Sequence, residues 1–215
     1  MEVEAEPIKV LLVDDHTVAR NGVRLMLSSA SEIRVVGEAA TASDALRLVR
    51  DQNFDVALVD VALPGKNGLD LLKSLRVAQP GLAVLILSTY SEEIYALRAL
   101  KLGAAGYLTK DSPTATLIAA VRKAATGGKY VSPSLAEKFV GMISGQSVAS
   151  HEALSNRELE VLKLLARGES LIRIGELLHL SPKTVTTYRT RILEKMGLAS
   201  NAELTRYAVE NGLLV

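Results

Sequence analysis

The sequence predicts a doubly wound α/β domain on a five-stranded parallel sheet, followed by a small all-α domain of four helices. Three observations carry that expectation. Short aliphatic, β-branched runs alternate five times with helical patterns across residues 1–129. The runs are continuously apolar, as strands covered on both faces require. The rhythm stops at "TGGKYVSPS" (126–134), and beyond it only helical patterns and helix caps occur. Repeated strand–helix–strand units imply parallel strands joined by right-handed crossovers, and ligands of such sheets sit at the carboxyl ends of the strands.

The strands are "KVLLV" (9–13), "RVVGEA" (34–39), "VALVD" (56–60), "AVLILS" (83–88) and "GYLTK" (106–110). Helices are expected over 17–29, around Val18 and Leu25, and over 43–52, with Ala45, Leu46 and Val49 inward. Further helices should span 68–78 (Leu69, Leu72, Leu75), 92–102 (Leu97, Leu100) and 114–126 (Leu117, Ile118, Val121). A short amphipathic helix fits 133–143, and "SGQSVASHEA" (144–153), small and polar, reads as a linker. The domains are therefore placed at 1–129 and 153–215, with 130–152 between them.

In the last part, Ser155 with Glu158 three residues on forms a capping box for a helix that stops before Gly168. A second helix follows Ser170 and reaches about His179. Ser181 then caps a third, with Pro182 in its first turn and Gly197 at its end. A fourth runs from about Ala202 to Asn211. A short helix, a tight turn and a well-capped helix make a helix-turn-helix pattern.

Composition narrows the function. Apolar residues make up 48% of the 215, enough for a real core, and aromatics only 4%, so that core is aliphatic. Cysteine is absent, which excludes disulfides and thiolate metal sites. "MEVEAEPIK" is acidic and is not a secretory signal, and no apolar run is long enough to span a bilayer; a cytoplasmic place is expected. Residues 1–129 carry 15 basic and 15 acidic side chains; in 181–200, Lys183, Arg189, Arg191 and Lys195 face only Glu194. That is a local basic stripe, not a basic domain.

Asp14 and Asp15 fall at the carboxyl end of the first strand and Asp60 at that of the third. Three carboxylates at one sheet edge suit a hard divalent ion such as Mg²⁺. The fourth strand ends in Ser88 and Thr89, and the fifth in Lys110. One aspartate at a strand end would suit helix capping alone; acids, a hydroxyl and an ammonium converging on one edge suit phosphoryl chemistry. An aspartate can attack phosphorus, a divalent ion can offset the incoming charge, and Lys110 can hold a phosphoryl oxygen.

"LLVDDH", "DVALVDVALPGKNGLDLL", "LSTYSEE" and "GAAGYLTKD" resemble the flavodoxin-like receiver domain of bacterial two-component response regulators. "LSNRELEVLKLLARGES" with "LSPKTVTTYRTRILEKMGL" resembles the DNA-binding domain of the NarL/FixJ (LuxR-type) group, most of all its GacA/UvrY branch. The resemblance implies that Asp60 accepts a phosphoryl group from a sensor histidine kinase. It implies that Asp15 binds Mg²⁺ directly, that Asp14 acts in the same acid pocket, and that the backbone carbonyl of Ala62 supplies a further ligand. Ser88 then matches the switch hydroxyl, Tyr107 the switch aromatic and Lys110 the motif's lysine. The switch position is usually Thr, so Thr89 stays open as the alternative; Tyr107 could also be core packing. In the third helix, Thr186, Thr187 and Thr190 match base-reading positions, while Lys183, Arg189 and Lys195 suit phosphates. The implied partners are double-stranded DNA, a second copy of the chain and RNA polymerase.

One local departure stands out. "SLIRIG" (170–175) puts Leu171 and Ile172 where the group has polar residues, so that helix either packs differently or exposes an apolar surface. The last helix, with Leu204, Ala208, Val209 and Leu213, matches the group's dimer helix but equally suits a core. An aspartyl-phosphate phosphatase would want a second acid two residues past the nucleophile, and Asp60 is followed by Val61 and Ala62. A receiver working unphosphorylated would not need the acid pocket. The chain is thus expected to be a regulator and not an enzyme.

Overall fold

The computed structural model describes residues 6–65, 67–89, 92–137 and 150–214. The chain forms two units, divided between Glu137 and Lys138.

The first unit runs β1 (Ile8–Val13), α1 (Thr17–Leu27), β2 (Ile33–Ala39), α2 (Ala42–Asp51), β3 (Val56–Val59), α3 (Gly68–Ala78), β4 (Ala83–Ser88), α4 (Glu92–Lys101), β5 (Gly106–Thr109) and α5 (Thr114–Ala125). All pairings are parallel and the order is β2-β1-β3-β4-β5. The chain reverses direction beside β1, so the loops after β1 and β3 open at the same edge, where the order predicts a crevice. Val10 to Val13 and Val56 to Val59 are all buried, because helices cover both faces.

On α1 the structure corrects the expected stripe. Val18 and Leu25 are 86% and 74% exposed, while Val23 and Leu27 pack on the core. Leu27 lies about 180° round the helix from Val18 at 3.6 residues per turn. The helix carries two apolar stripes, and the one that seals the sheet wins.

The segment after α5, placed in the linker by composition, packs on the first unit. Tyr130 N donates to Ala105 O at 2.7 Å, Lys129 Nζ to Ala104 O at 2.8 Å, and Leu135 is buried. Residues 133–137 are helical; the rest of the expected 133–143 helix, and linker residues 138–149, lie outside the described residues. A Cβ on Gly106 would stand 2.7 Å from Tyr130 O and 3.0 Å from Tyr130 Cβ. Gly106→Ala should lift this segment off the β5 edge at a cost of roughly 1–3 kcal/mol. Hydrogen exchange checks it: the Tyr130 amide loses protection while amides of β1 keep theirs.

The second unit holds a 3₁₀ turn (Ser150–Ala153), α6 (Asn156–Ala166), α7 (Leu171–Leu178), α8 (Pro182–Met196) and α9 (Asn201–Glu210). Ser155, Ser170, Ser181 and Ser200 each cap the following helix by accepting a backbone N–H, and at Ser155 the full capping box forms. Ile174, Val185, Ile192, Leu204, Ala208 and Leu213 are fully buried. The α9 stripe is therefore core, and only Val209, 63% exposed, points outward from it. On α7, Ile174 packs inward and Ile172 is 65% exposed, so this helix does show an apolar surface.

Candidate functional site

The edge above β1 and β3 gathers the acids. Asp60 N donates to Val13 O at 2.8 Å and Asp14 N to Ala39 O at 3.1 Å, so both residues are pinned to the sheet just past the strand ends. Asp14 and Asp60 are 7% and 3% exposed. Lys110, just past β5, reaches both: its Nζ lies 2.6 Å from Asp14 Oδ2 and 2.7 Å from Asp60 Oδ2. Its own amide is fixed by Ser88 O at 2.9 Å.

Burial pushes the Asp60 carboxyl above its usual range, and the Lys110 ammonium only partly offsets this; Asp14 beside it pushes the same way. For Lys110 the balance is reversed. Burial lowers its pKa, but hydrogen bonds and charge from Asp14 and Asp60 outweigh that and hold it above the usual lysine value.

Asp14, Asp15, His16 and Asp60 each present a ligand atom, all within 4.8 Å of one another. Asp15 Oδ1 is buried and accepts no hydrogen bond, although His16 Nδ1 lies 2.9 Å away. A buried, orphaned carboxylate oxygen among hard donors fits a divalent cation. Ala62 N donates to Asp60 Oδ1 at 3.3 Å, which puts Ala62 at the rim.

Ser88 ends β4 and is fully buried, whereas Thr89 is exposed. Tyr107, opposite Ile86 in β5, is 1% exposed. It helps line a cavity of about 120 Å³ with Glu92, Thr109, Ser112, Tyr130 and Ser132.

In the second unit, Thr186, Thr187 and Thr190 are all exposed on α8, each hydroxyl donating to the carbonyl four residues before it at 3.0, 3.1 and 3.2 Å. The hydroxyl oxygen can still accept, and the methyl remains free for contact. Lys183 is exposed; Arg189 is half-buried, with Nε on Asn201 Oδ1 at 2.7 Å. Lys195 is drawn elsewhere, its Nζ 2.7 Å from Glu158 Oε2.

Sequence reasoning missed Arg20. Its guanidinium donates to Asp14 O at 2.6 Å and to Glu38 Oε2 at 3.1 Å, bracing the acid loop from α1. Only its place one turn into the helix after "VDDH" hints at that.

Residues 10–122 match the family model of the response regulator receiver domain, and residues 152–208 that of the LuxR family of bacterial regulatory proteins. The chain is 36% identical over 209 residues to the response regulator GacA of Pseudomonas aeruginosa, covering 96% of this chain and 98% of that one. It is 34% identical over 208 residues to the response regulator UvrY of Escherichia coli, covering 96% and 95%. The solved structure of ChrA, the response regulator of a heme-sensing two-component system, matches at 34% identity and a TM-score of 0.53, over 97% of this chain and all of that one. RcsB of Salmonella enterica, at 23% identity and a TM-score of 0.67 over 94% and 98%, shares the fold. No helix among the described residues is long and apolar enough to cross a membrane. With a receiver sheet and a helix-turn-helix unit in that order, and relatives matched along nearly its whole length, the chain belongs to the LuxR-type transcriptional response regulators of two-component systems.

Proposed function

We propose that Asp60 is the phosphoacceptor and that its phosphorylation by a sensor histidine kinase controls DNA binding through α8. The observation that carries this is the buried Asp60 carboxylate, held by Lys110 beside two further acids. In the transfer, a carboxylate oxygen of Asp60 bonds to phosphorus while the phosphorus–nitrogen bond to the donor histidine breaks, its electron pair leaving with the imidazole. Asp14, Asp15, Asp60 and the Ala62 carbonyl would hold Mg²⁺, which supplies positive charge to offset that of the phosphoryl group. Lys110 would then turn from carboxylate to phosphoryl oxygen. Ser88, buried where Thr89 is not, is the switch hydroxyl, and Tyr107 the switch aromatic, with the cavity beside it leaving room for a second ring position.

Thr186, Thr187 and Thr190 would read base edges, their methyls suited to thymine, while Lys183 and Arg189 meet phosphates. Two copies on paired half-sites would give the dimer its affinity, and RNA polymerase is the further partner. RcsB was solved on promoter DNA with a phosphate mimic; the same class of complex is the expectation for this chain, in the cytoplasm. Turnover as a phosphatase is disfavoured by Ala62, which offers no acid two residues past Asp60.

Incubation with acetyl phosphate and Mg²⁺ should add one phosphoryl group by intact mass and tighten binding to a duplex selected from a random library. An unlabelled protein, or labelled protein with unchanged affinity, overturns the reading. Asp15→Asn removes the orphaned oxygen's charge and should weaken Mg²⁺ binding about tenfold or more by calorimetry.

A further inference from the structure

The end of α8 is held from inside its own unit. Glu158, in the first turn of α6, is 3% exposed, and its Oε2 accepts both the Ser155 N–H at 2.6 Å and the Lys195 ammonium at 2.7 Å. Burial pushes the Glu158 carboxyl up, but these bonds outweigh it and hold it below the usual range, so the carboxylate stays charged. The residue before it does the same for the other helix of the motif. Arg157 donates through Nη2 to Leu178 O, at the last turn of α7, while its Nη1 holds Glu160 at 2.8 Å. One dipeptide on α6 thus grips the carboxyl ends of both α7 and α8.

Lys195 also lies outside the arc of the base-reading threonines. Taking about 100° per residue, Lys183, Thr186, Thr187 and Thr190 span about 100–200° round α8 from the buried Val185, and Lys195 lies about 80° from it on the other side. It sits about 18 Å along the axis from Lys183, whereas recognition helices meet bases near their amino ends. Moving its ammonium to a phosphate would strand a buried carboxylate.

We propose that Lys195 is a positioning residue: Glu158 anchors it, and through it sets the angle at which α8 presents Thr186, Thr187 and Thr190 to DNA, with no phosphate contact of its own. The proposal rests on the DNA-binding reading and replaces the phosphate role that charge alone suggests for Lys195.

The test uses the full chain, the selected duplex and a scrambled duplex of equal length, across a range of salt. Lys195→Met should leave the slope of log affinity against log salt unchanged, where loss of a phosphate contact would lower it by about 0.9. The ratio of selected to scrambled affinity should fall about tenfold. Glu158→Gln, which removes a negative charge and so favours phosphates, should lower that ratio to a similar extent, the double variant should be no worse than either, and Lys195→Arg should restore it. A slope lowered by about one unit in Lys195→Met, or variants that melt early with the ratio intact, overturns the proposal. Should the variants not fold, lysine acetylation of the wild-type protein decides: Lys183 becomes protected by duplex, whereas Lys195 reacts at the same rate with and without it. Protection of Lys195 that appears only with duplex counts against the proposal. Failure of the wild-type chain to select any duplex sinks the DNA-binding reading instead.

Discussion

Asp60→Asn should take up no phosphoryl group from acetyl phosphate and Mg²⁺, yet melt at or above the wild-type temperature at neutral pH. The first half follows from chemistry: an amide oxygen is no nucleophile toward phosphorus, and in the proposed site Asp14 and Asp15 serve the cation and not the phosphoryl group. The second half follows from burial. The Asp60 carboxyl is shifted up mainly because it is desolvated, so the native chain holds that proton more tightly than the unfolded chain does. For this group, stability is greatest at low pH and declines as pH rises from the ordinary carboxylate range through the raised value. Asn keeps an acceptor for Lys110 and Ala62 without the charge, so the variant escapes the decline. The gap between variant and wild type should widen as pH climbs above the ordinary carboxylate range. Lys110 adds a separate alkaline limit in the wild-type protein: its pKa is raised, so its contribution is present below the ordinary lysine value and lost as pH rises through the folded one. Label retained by Asp60→Asn would place the acceptor elsewhere. A melt several degrees below wild type at neutral pH would mean that the Lys110 pair outweighs the desolvation of Asp60.

The elements themselves were legible because their signals are local. Strand ends fall within a residue or two of the apolar runs, and every cap from Ser155 to Ser200 is a short-range pattern. The acid pocket was legible for a different reason: a parallel sheet brings strand carboxyl ends to one edge, so Asp14, Asp60, Ser88 and Lys110 converge once the strands are assigned. What was misread on α1, and what the sequence left open elsewhere, needed tertiary contact to decide. Both stripes of α1 are apolar at helical spacing, and only the sheet chooses Val23 and Leu27 over Val18 and Leu25. Ser88 is the last residue of β4 and Thr89 the first beyond it, and the side chain that is buried is Ser88's. The pairing of Lys195 with Glu158, 37 residues earlier, is likewise invisible to any local window.

Gly68→Ala should be among the most damaging single changes in the chain, and its position in "KNGLD" gives no hint of the reason. Gly68 opens α3, with Asn67 as cap accepting the Leu69 N–H at 2.8 Å. A Cβ there would sit 1.8 Å from Asp60 O, 2.8 Å from Asp60 C and 3.0 Å from Val61 Cα. These are backbone atoms, and they cannot swing aside. Asp60 is held by its bond to Val13 O, and Gly68 N is held by Val61 O at 2.9 Å. Either α3 backs away, unseating Leu69, Leu72 and Leu75 from the core, or the loop carrying Asp60 shifts. The cost should be roughly 3–5 kcal/mol, the range reserved for core disruption. Where the variant still folds, at low temperature, its labelling by acetyl phosphate should slow by far more than the lost stability explains, since small displacements of a reacting group are expensive. Gly22→Ala is the control: nothing lies within 4 Å of a Cβ there, and in the middle of α1 the change should stabilise by about 0.5–1 kcal/mol. Thermal melts of the two variants then separate space from propensity. If Gly68→Ala melts with the wild type, the close approach of α3 to Asp60 does not exist in solution, and the geometry that holds the Asp60 carboxylate has to be sought in Lys110 and Asp14 alone.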